Sequence, residues 1–286
     1  MSDLLGGRTI VVTGGSMGIG LACAEECVRE GASVVICARG EKDLAGAVEH
    51  LRSLSGVQVR GVRADVTDAV HVGRVLAEAA SIGRLDGVVH CAGVYGPIGP
   101  MVRVDAEEWR RAIDVNLFGT FLVAQQACQS MIAAGSHGSI VLMSGGGAAS
   151  PFPNYTAYAC GKVGVVRLAE TLALEMAPHG IRVNAVAPGF VITRLHEQTL
   201  GAGKELAGDF VETTRQQIAK GGVPPTVAAR CAAFLLSERS GGITGRFVAA
   251  PYDGYAEWPA KLEAIKGSDL FTLRRIVPRD RGMDWQ

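Results

Sequence analysis

A tyrosine and a lysine four residues apart, Tyr158 and Lys162, are the side chains of this sequence best suited to acid–base chemistry. In a helix, residues four apart lie on the same face, so the ammonium group would lie near the phenol. A phenol is a poor proton donor at neutral pH because its pKa is near ~10, and a neighbouring ammonium lowers that pKa by stabilising the phenolate. The pair therefore predicts a general acid/base, although many solvated helices carry the same spacing.

A proton donor of this kind works best beside a second hydroxyl that polarises the carbonyl group of the substrate. Ser144 follows an apolar run and precedes three glycines, Gly145–Gly147. This position, at the end of a predicted strand, makes Ser144 the candidate for orienting the substrate oxygen.

The segment 13–20 has the sequence TGGSMGIG and lies between the first predicted strand and the first predicted helix. Glycines in this context allow a tight turn and let backbone N–H groups approach a pyrophosphate at the positive end of the helix. The alternative is a plain turn, which the position between strand and helix disfavours. The segment predicts a dinucleotide cofactor.

The second predicted strand ends in Ala38 and Arg39. Dinucleotide-binding folds often place an Asp here to hold the ribose hydroxyls, whereas an Arg accommodates a 2′-phosphate. We therefore expect NADP, with NAD as the alternative cofactor. The competing interpretation of Arg39 is an exposed arginine at a strand end.

Short apolar runs alternate with helical patterns along most of the chain, which predicts a parallel, doubly wound α/β sheet of about seven strands in a single domain. The predicted strands are 9–13, 33–37, 58–63, 87–91, 139–143, 182–187 and 246–250. The predicted helices are 20–30, 41–53, 68–82, 106–134, 158–177 and 227–236.

Two segments depart from this alternation. Residues 195–222 are polar and glycine-interrupted, which is typical of a mobile helical flap beside a site. We expect a dinucleotide-binding and catalytic domain over 1–250 and a C-terminal extension over 251–286. The extension is expected to be ordered, because its apolar side chains are too many for a solvated linker. It either covers the substrate mouth of its own or a neighbouring subunit or packs at the subunit interface. Its apolar residues are Trp258, Leu262, Leu270, Phe271, Leu273, Ile276, Val277 and Trp285.

Composition narrows the function further. The formal net charge is zero and the isoelectric point is near 7.0, so no basic surface favours nucleic acid or an anionic membrane. The seven cysteines are scattered through apolar segments, which predicts buried thiols in a reducing cytoplasm. Neither a secretory signal nor a bilayer-length apolar run is expected. The six histidines are isolated in sequence, so no metal site is expected.

These motifs, in this order, resemble those of a classical short-chain dehydrogenase/reductase over roughly residues 5–250. The resemblance implies a Rossmann-like fold and metal-free hydride transfer between NAD(P) and the CH–OH group of a small alcohol or carbonyl substrate. It implies that Tyr158 exchanges the proton, Lys162 binds the nicotinamide ribose, Ser144 orients the substrate oxygen and Asn116 maintains a proton relay. It also implies a homotetramer or dimer assembled through the long helices.

The resemblance assigns cofactor binding to a set of residues that follow successive strands. These are Gly14, Ser16, Met17, Gly18, Ile19, Arg39, Asp65, Val66, Cys91, Ala92, Gly93, Tyr158, Lys162, Pro188, Gly189, Val191 and Thr193.

The chain departs from the family pattern in three places. Cys91 stands where the family has an asparagine. Ser144 lies fourteen residues before Tyr158, whereas the family serine usually lies thirteen residues before it. Gly145 occupies that position here. The segment after the last strand is also rebuilt. The unusual serine spacing leaves a catalytically inactive dinucleotide sensor or scaffold as an alternative, beside an NAD-linked dehydrogenase. Substrate identity lies in loops that fold analogy does not inform.

Overall fold

The structure, a computed structural model, describes residues 3–284 and contains one seven-stranded parallel sheet. The strand order is β3-β2-β1-β4-β5-β6-β7, which confirms the predicted doubly wound α/β fold. The strands are β1 (Thr9–Thr13), β2 (Ser33–Ala38), β3 (Val59–Arg63), β4 (Leu85–His90), β5 (Ser139–Met143), β6 (Arg182–Ala187) and β7 (Phe247–Ala249).

Ten α-helices of the described chain connect or flank the strands. They are α1 (Gly18–Arg29), α2 (Glu41–Leu54), α3 (Ala69–Ile82), α4 (Ala106–Ile113), α5 (Gly119–Ala133), α6 (Thr156–Glu175), α7 (Arg194–Ala207), α8 (Phe210–Ala219), α9 (Pro225–Leu236) and α10 (Leu262–Lys266).

The sheet is covered on both faces, which is why its strands are continuous apolar runs. Helices α1, α2 and α9 pack with side chains such as Ile10 and Val34 on one face. Helices α3, α5 and α6 pack with side chains such as Val11 and Val35 on the other. No helix within residues 3–284 is long and apolar enough to cross a bilayer.

The chain order reverses between β1 and β4, which are adjacent in the sheet with Thr13 paired in register to His90. In open parallel sheets a crevice forms outside the carboxyl ends of the strands at this point, because the following connections leave in opposite directions. The topology therefore brings the glycine turn after β1 and the segment after β4 to one edge.

One predicted helix is interrupted, and the segment 195–222 is helical as expected but contains a kink. The single helix predicted over 106–134 is interrupted by a π-helical turn, Asp114–Phe118, which separates α4 from α5. Such turns are rare and often mark functional sites, and the apolar pattern of this segment gave no indication of one. The predicted flap at 195–222 consists of α7 and α8, with a kink where Gly203 adopts φ +68°.

The C-terminal extension is held against the first residues of β7. The backbone N–H of Phe247 donates to the Phe271 carbonyl at 2.8 Å, and the Phe271 ring stacks on Trp258 with centroids 4.1 Å apart. This contact lies at the end of β7 opposite the carboxyl edge of the sheet. The extension therefore packs on its own chain at this edge of the sheet, and its covering of a substrate mouth stays a prediction. Trp285 lies outside the described residues.

Arg246 is the main polar anchor of the extension. Its buried guanidinium donates to the backbone carbonyls of Ile265, Ser268 and Leu270 at 2.6, 3.1 and 3.0 Å. The bond to Ile265 is buried, and a carbonyl that loses its partner there is left unsatisfied, which is costly.

We expect Arg246→Met to lower the free energy of unfolding by about 1.5–3 kcal/mol, the range for hydrogen bonds to a charged group. Urea titration of the purified protein measures this change. Arg274→Met is the matched control, because Arg274 pairs at the surface with Asp269 and Asp280 and such pairs contribute little. Equal effects of the two substitutions would contradict the anchoring role of Arg246.

Candidate active site

The glycine turn after β1 is shaped by contacts that leave no room for side chains. Gly14 adopts φ +64°, and a Cβ added there would lie 2.9 Å from the backbone nitrogen of Ala92. A Cβ on Gly20 would collide with the Gly14 carbonyl oxygen. The turn therefore closes against the segment after β4, and α1 begins at Gly18 with its N-terminus facing the crevice. This geometry fits a pyrophosphate.

The crevice is a cleft of about 720 Å³. Most of the predicted cofactor-binding residues line it: Gly14, Ser16, Met17, Gly18, Ile19, Arg39, Asp65, Val66, Cys91, Ala92, Gly93 and Thr193. The remaining predicted residues, Tyr158, Lys162, Pro188, Gly189 and Val191, are not in its lining.

The predicted flap at 195–222 also contributes to the lining of the cleft, through residues of α7 and its N-terminal approach that were not assigned to cofactor binding. These are Ile192, Arg194, Leu195, Glu197 and Gln198. Arg194 reaches Asp43 of α2, another lining residue, with its guanidinium 3.2 Å from the carboxylate. This surface ion pair connects the two sides of the cleft, and sequence spacing could not indicate it because 151 residues separate the partners.

Arg39 lies at the rim of the cleft and is exposed. Its backbone carbonyl accepts a hydrogen bond from Arg63, while its guanidinium has no ion pair among residues 3–284. On the same side, the Asp65 carboxylate accepts from the backbone N–H and the hydroxyl of Thr67 at 3.0 and 2.8 Å. The guanidinium is therefore available to an anion at this end of the cleft.

Tyr158 and Lys162 lie together on α6, as their spacing predicted, and both are buried. The Lys162 Nζ atom is 5.6 Å from the centroid of the Tyr158 ring and donates to the Met143 carbonyl at 2.9 Å. Burial lowers the pKa of Lys162 to about 8. Burial also raises the pKa of Tyr158, so in this structure it outweighs the lowering that the ammonium was expected to cause.

Asn116 is fully buried in the π-helical turn and clamps the segment after β4. Its Oδ1 accepts from the Val94 N–H at 3.1 Å, and its Nδ2 donates to the Val94 carbonyl at 2.7 Å. A Cβ added to Gly93 would lie 2.9 Å from Asn116 Oδ1 and 3.2 Å from Lys162 Nζ. The structure thus brings Asn116 and Lys162 to the same side of Gly93, around the point that a Cβ would occupy.

Ser144 does not face the Tyr158 hydroxyl, which corrects the expected geometry. Its buried hydroxyl donates to the Lys162 carbonyl at 3.0 Å. The residue that faces Tyr158 is Gly145, because a Cβ added there would collide with the Tyr158 hydroxyl oxygen. The physical reason is that successive residues of an extended chain project to opposite sides.

Aromatic rings enclose Tyr158 on the side away from Lys162. The Tyr95 and Phe152 rings meet Tyr158 edge-on, with centroids 4.9 and 6.2 Å away. Tyr155 packs on both and donates its hydroxyl to Thr199 of α7 at 2.9 Å. Tyr155 is fully buried and forms the inner part of this aromatic cluster.

Comparison with known proteins identifies the family. A family model described as enoyl-(acyl carrier protein) reductase matches residues 14–251. A 3β-hydroxysteroid dehydrogenase of Eggerthella lenta is 37% identical over 250 residues, which are 86% of this chain and 92% of that protein. The chain belongs to the short-chain dehydrogenase/reductase family.

Other relatives agree with this assignment. A cis-4-hydroxycyclohexanecarboxylate dehydrogenase of Sinomonas cyclohexanicum is 36% identical over 252 residues, which are 87% of this chain and 97% of that protein. The structure of a short-chain type dehydrogenase/reductase from Mycobacterium ulcerans superimposes with a TM-score of 0.78 and 33% identity, covering 97% of this chain and 100% of that one. This chain is thus an NAD(P)-dependent enzyme that acts on CH–OH groups.

His90, the last residue of β4, is buried below the cleft. Its Nδ1 pairs with the Thr13 hydroxyl at 2.9 Å, and Nε2 has no partner among the described residues. Burial, and to a smaller extent the charge of Lys162, lower the pKa of His90 to about 3. The imidazole is therefore neutral throughout the physiological range.

This low pKa predicts an acid-sensitive fold. The unfolded chain binds a proton at His90 below pH ~6.5, whereas the folded chain does so only near 3. The contribution to stability is therefore complete above pH ~6.5 and falls as pH decreases toward 3, by up to ~1.4 kcal/mol per pH unit. In His90→Asn, the free energy of unfolding from urea titrations should depend less steeply on pH between pH 4 and 7. The difference from wild type should correspond to about one proton. An unchanged slope would show that His90 is already charged in the folded protein.

Proposed function

We propose that this enzyme interconverts a secondary alcohol and a ketone, or an aldehyde and its alcohol, with NADP(H) and without a metal ion. The observation that carries the proposal is the buried Tyr158–Lys162 pair, which adjoins Asn116 and the segment bounding the nucleotide-shaped cleft. Among the described residues, no cluster of His, Cys, Asp or Glu is arranged to hold a metal.

The nicotinamide nucleotide supplies or accepts the hydride when bound. In carbonyl reduction Tyr158 donates a proton to the substrate oxygen, and in alcohol oxidation it accepts that proton. Lys162 stabilises the phenolate and binds the nicotinamide ribose, because its ammonium lies beside both the tyrosine ring and Gly93. Asn116 holds the segment after β4 in the position that this arrangement requires.

NADP is the proposed cofactor because a guanidinium, and no carboxylate, follows β2. Arg39 lines the cleft with a free side chain, and the preceding lining residue is Ala38. The turn and rim residues named above hold the nucleotide, with Pro188, Gly189, Val191 and Thr193 at its nicotinamide end. The second candidate is NAD-linked catalysis, which the xylitol dehydrogenase structure with bound NAD+ favours; it is 27% identical with a TM-score of 0.79.

An apolar, ring-bearing substrate suits the walls around Tyr158. Phe152 and Phe210 are partly exposed and present aromatic surface, backed by the buried rings of Tyr95 and Tyr155. Burial lowers the pKa of His196 beside them, which favours the neutral imidazole. Two relatives carry the names of ring alcohols, a hydroxysteroid and a hydroxycyclohexanecarboxylate. Enclosing aromatic side chains recognise such bodies through large contact areas.

We also propose a homotetramer or dimer in the cytoplasm. Large apolar side chains are exposed on α5, on the π-helical turn before it and on α6, as expected for helices that pack between subunits: Phe118, Phe121, Ile132, Val163 and Leu174. All seven cysteines are free thiols, in keeping with a reducing compartment.

Tyr158→Phe tests the mechanism. The variant should lose turnover by ~10²-fold or more, because the proton donor is removed while the ring and its packing stay. Nucleotide affinity, measured by fluorescence titration, should change by less than about threefold. A panel of alcohols and ketones with both cofactors provides the activity. Full turnover in the variant would exclude Tyr158, and nucleotide binding without turnover in the wild type would favour the sensor alternative.

Arg39→Ala tests cofactor choice. A charge-assisted hydrogen bond to the 2′-phosphate contributes about 1.5–3 kcal/mol, so wild type should prefer NADP(H) by roughly ten- to a hundredfold in kcat/KM. The variant should lose that preference, and Ala38→Asp should reverse it by repelling phosphate. Arg60→Ala is the control, since Arg60 is exposed on β3, pairs with Glu78 and is absent from the cleft lining. If wild type prefers NAD(H), Arg39 is an ordinary surface residue.

A further inference from the structure

Two successive residues after β5 make different contacts with the catalytic helix α6. The family resemblance places a serine thirteen residues before the tyrosine, and Gly145 stands at that position. A Cβ on Gly145 would collide with the Tyr158 hydroxyl oxygen and lie 3.3 Å from the adjacent ring carbon. The Tyr158 hydroxyl thus fills the space that a side chain at 145 would take.

Ser144 instead belongs to a two-point attachment of Lys162. The Ser144 hydroxyl donates to the Lys162 backbone carbonyl at 3.0 Å, while the Lys162 ammonium donates to the Met143 carbonyl at 2.9 Å. The Ser144 N–H is itself anchored to the Val186 carbonyl at 2.8 Å. Both ends of Lys162 are therefore tied to neighbouring residues at the end of β5.

A second phenol, Tyr95, contacts Tyr158 through its ring. The two rings meet edge-on with centroids 4.9 Å apart, and burial raises the pKa of Tyr95. The Thr199 hydroxyl nearby accepts from Tyr155.

We propose that Ser144 is a positioning residue for Lys162 and that Gly145 leaves Tyr158, rather than a serine–tyrosine pair, to meet the reacting oxygen of the substrate. This inference rests on the proposed function and refines its chemistry. The reacting oxygen receives one side-chain hydrogen bond, from Tyr158. The positive charge of Lys162 supports this bond, and Ser144 holds Lys162 in position.

Ser144→Ala separates this role from direct catalysis. Loss of one neutral hydrogen bond that orders Lys162 should weaken nucleotide affinity by about two- to tenfold. A less ordered ammonium stabilises the phenolate less, so the midpoint of the pH profile for alcohol oxidation should move to higher pH. Turnover at the new optimum should fall by less than tenfold. The titratable groups that act on the Lys162 ammonium or adjoin it are Tyr158, His90 and Cys91.

Ser139→Ala is the matched control. Ser139 is also buried on β5, and its hydroxyl also donates to a helix carbonyl, that of Leu235 at 2.9 Å. It lies at the opposite end of the strand, so its loss should cost stability without moving the pH midpoint or nucleotide affinity. A ~10²-fold loss of turnover in Ser144→Ala, with wild-type pH midpoint and nucleotide affinity, would show that Ser144 donates to the substrate and overturn the proposal.

Gly145→Ala tests the second part of the proposal, the role of Gly145 in leaving space for the Tyr158 hydroxyl. The added methyl group displaces the Tyr158 hydroxyl, so turnover should fall at least tenfold while nucleotide affinity stays within about twofold. Gly146→Ala is the control, because its Cβ would meet only Phe152 at an ordinary 3.8 Å. Neither glycine has a positive φ. Wild-type turnover in Gly145→Ala overturns this half of the proposal.

One readout is independent of activity. The pKa of Lys162, followed by NMR of the lysine side chains in the nucleotide-free protein, should rise toward its ordinary value in Ser144→Ala as the ammonium becomes hydrated. It should not move in Ser139→Ala. If the wild type shows no turnover, the proposed function fails, whereas the Ser144 assignment is still decided by this pKa. An equal pKa in Ser144→Ala and wild type sinks the assignment.

Discussion

The buried ammonium group of Lys162 is the charge that the end of the sheet must accommodate. Removing an ammonium from water costs several kcal/mol unless hydrogen bonds replace the lost hydration. Here the Met143 carbonyl supplies one bond, and the pKa falls to about 8, so the charged form is kept at neutral pH by a small margin. Any residue that brings bulk or a second positive charge to this point would favour the neutral amine.

Two residues next to this ammonium group and to Asn116 have no side chain. Gly93 passes so close that a Cβ would lie 3.2 Å from the ammonium, and a Cβ on Gly161 of α6 would lie 2.8 Å from Cβ of Asn116. The π-helical turn brings Asn116 into this gap, where its amide pairs fully with the Val94 backbone. The connection after β4, the turn before α5 and helix α6 are thus fitted to one another around a single charge.

Sequence analysis was informative wherever the determinant was local. The turn at 13–20 and the Tyr158–Lys162 pair depend on spacing and on their place between elements, and both could be predicted. The orientation of Ser144 could not, because a shift of one residue in extended chain reverses the direction of a side chain. The usual spacing of thirteen residues before Tyr158 favoured position 145 for the residue that faces the tyrosine, whereas side-chain chemistry favoured the serine at 144. In the structure, Gly145 faces Tyr158.

Features that depend on distant contacts were missed for a different reason. The π-helical turn between α4 and α5 contains no proline, and its buried Asn116 binds the Val94 backbone, a partner that lies 22 residues away in sequence. The Arg194–Asp43 pair and the Tyr155–Thr199 bond join segments that are far apart in sequence. Patterns of local hydrophobicity carry no information about such partners.

The cofactor and substrate regions of this site are built on different physical principles. The cleft beside β1 relies on glycines whose Cβ atoms would collide with backbone, such as Gly14 and Gly20, so substitution there disturbs the main chain itself. The walls around Tyr158 consist of side chains from the loops after β4 and β5 and from α7 and α8, where Gly203 and Gly208 adopt positive φ at a kink and a turn. Side-chain walls on such segments can change shape without moving β1 or β4. Substrate preference can therefore diverge on this scaffold while the geometry of hydride and proton transfer stays fixed.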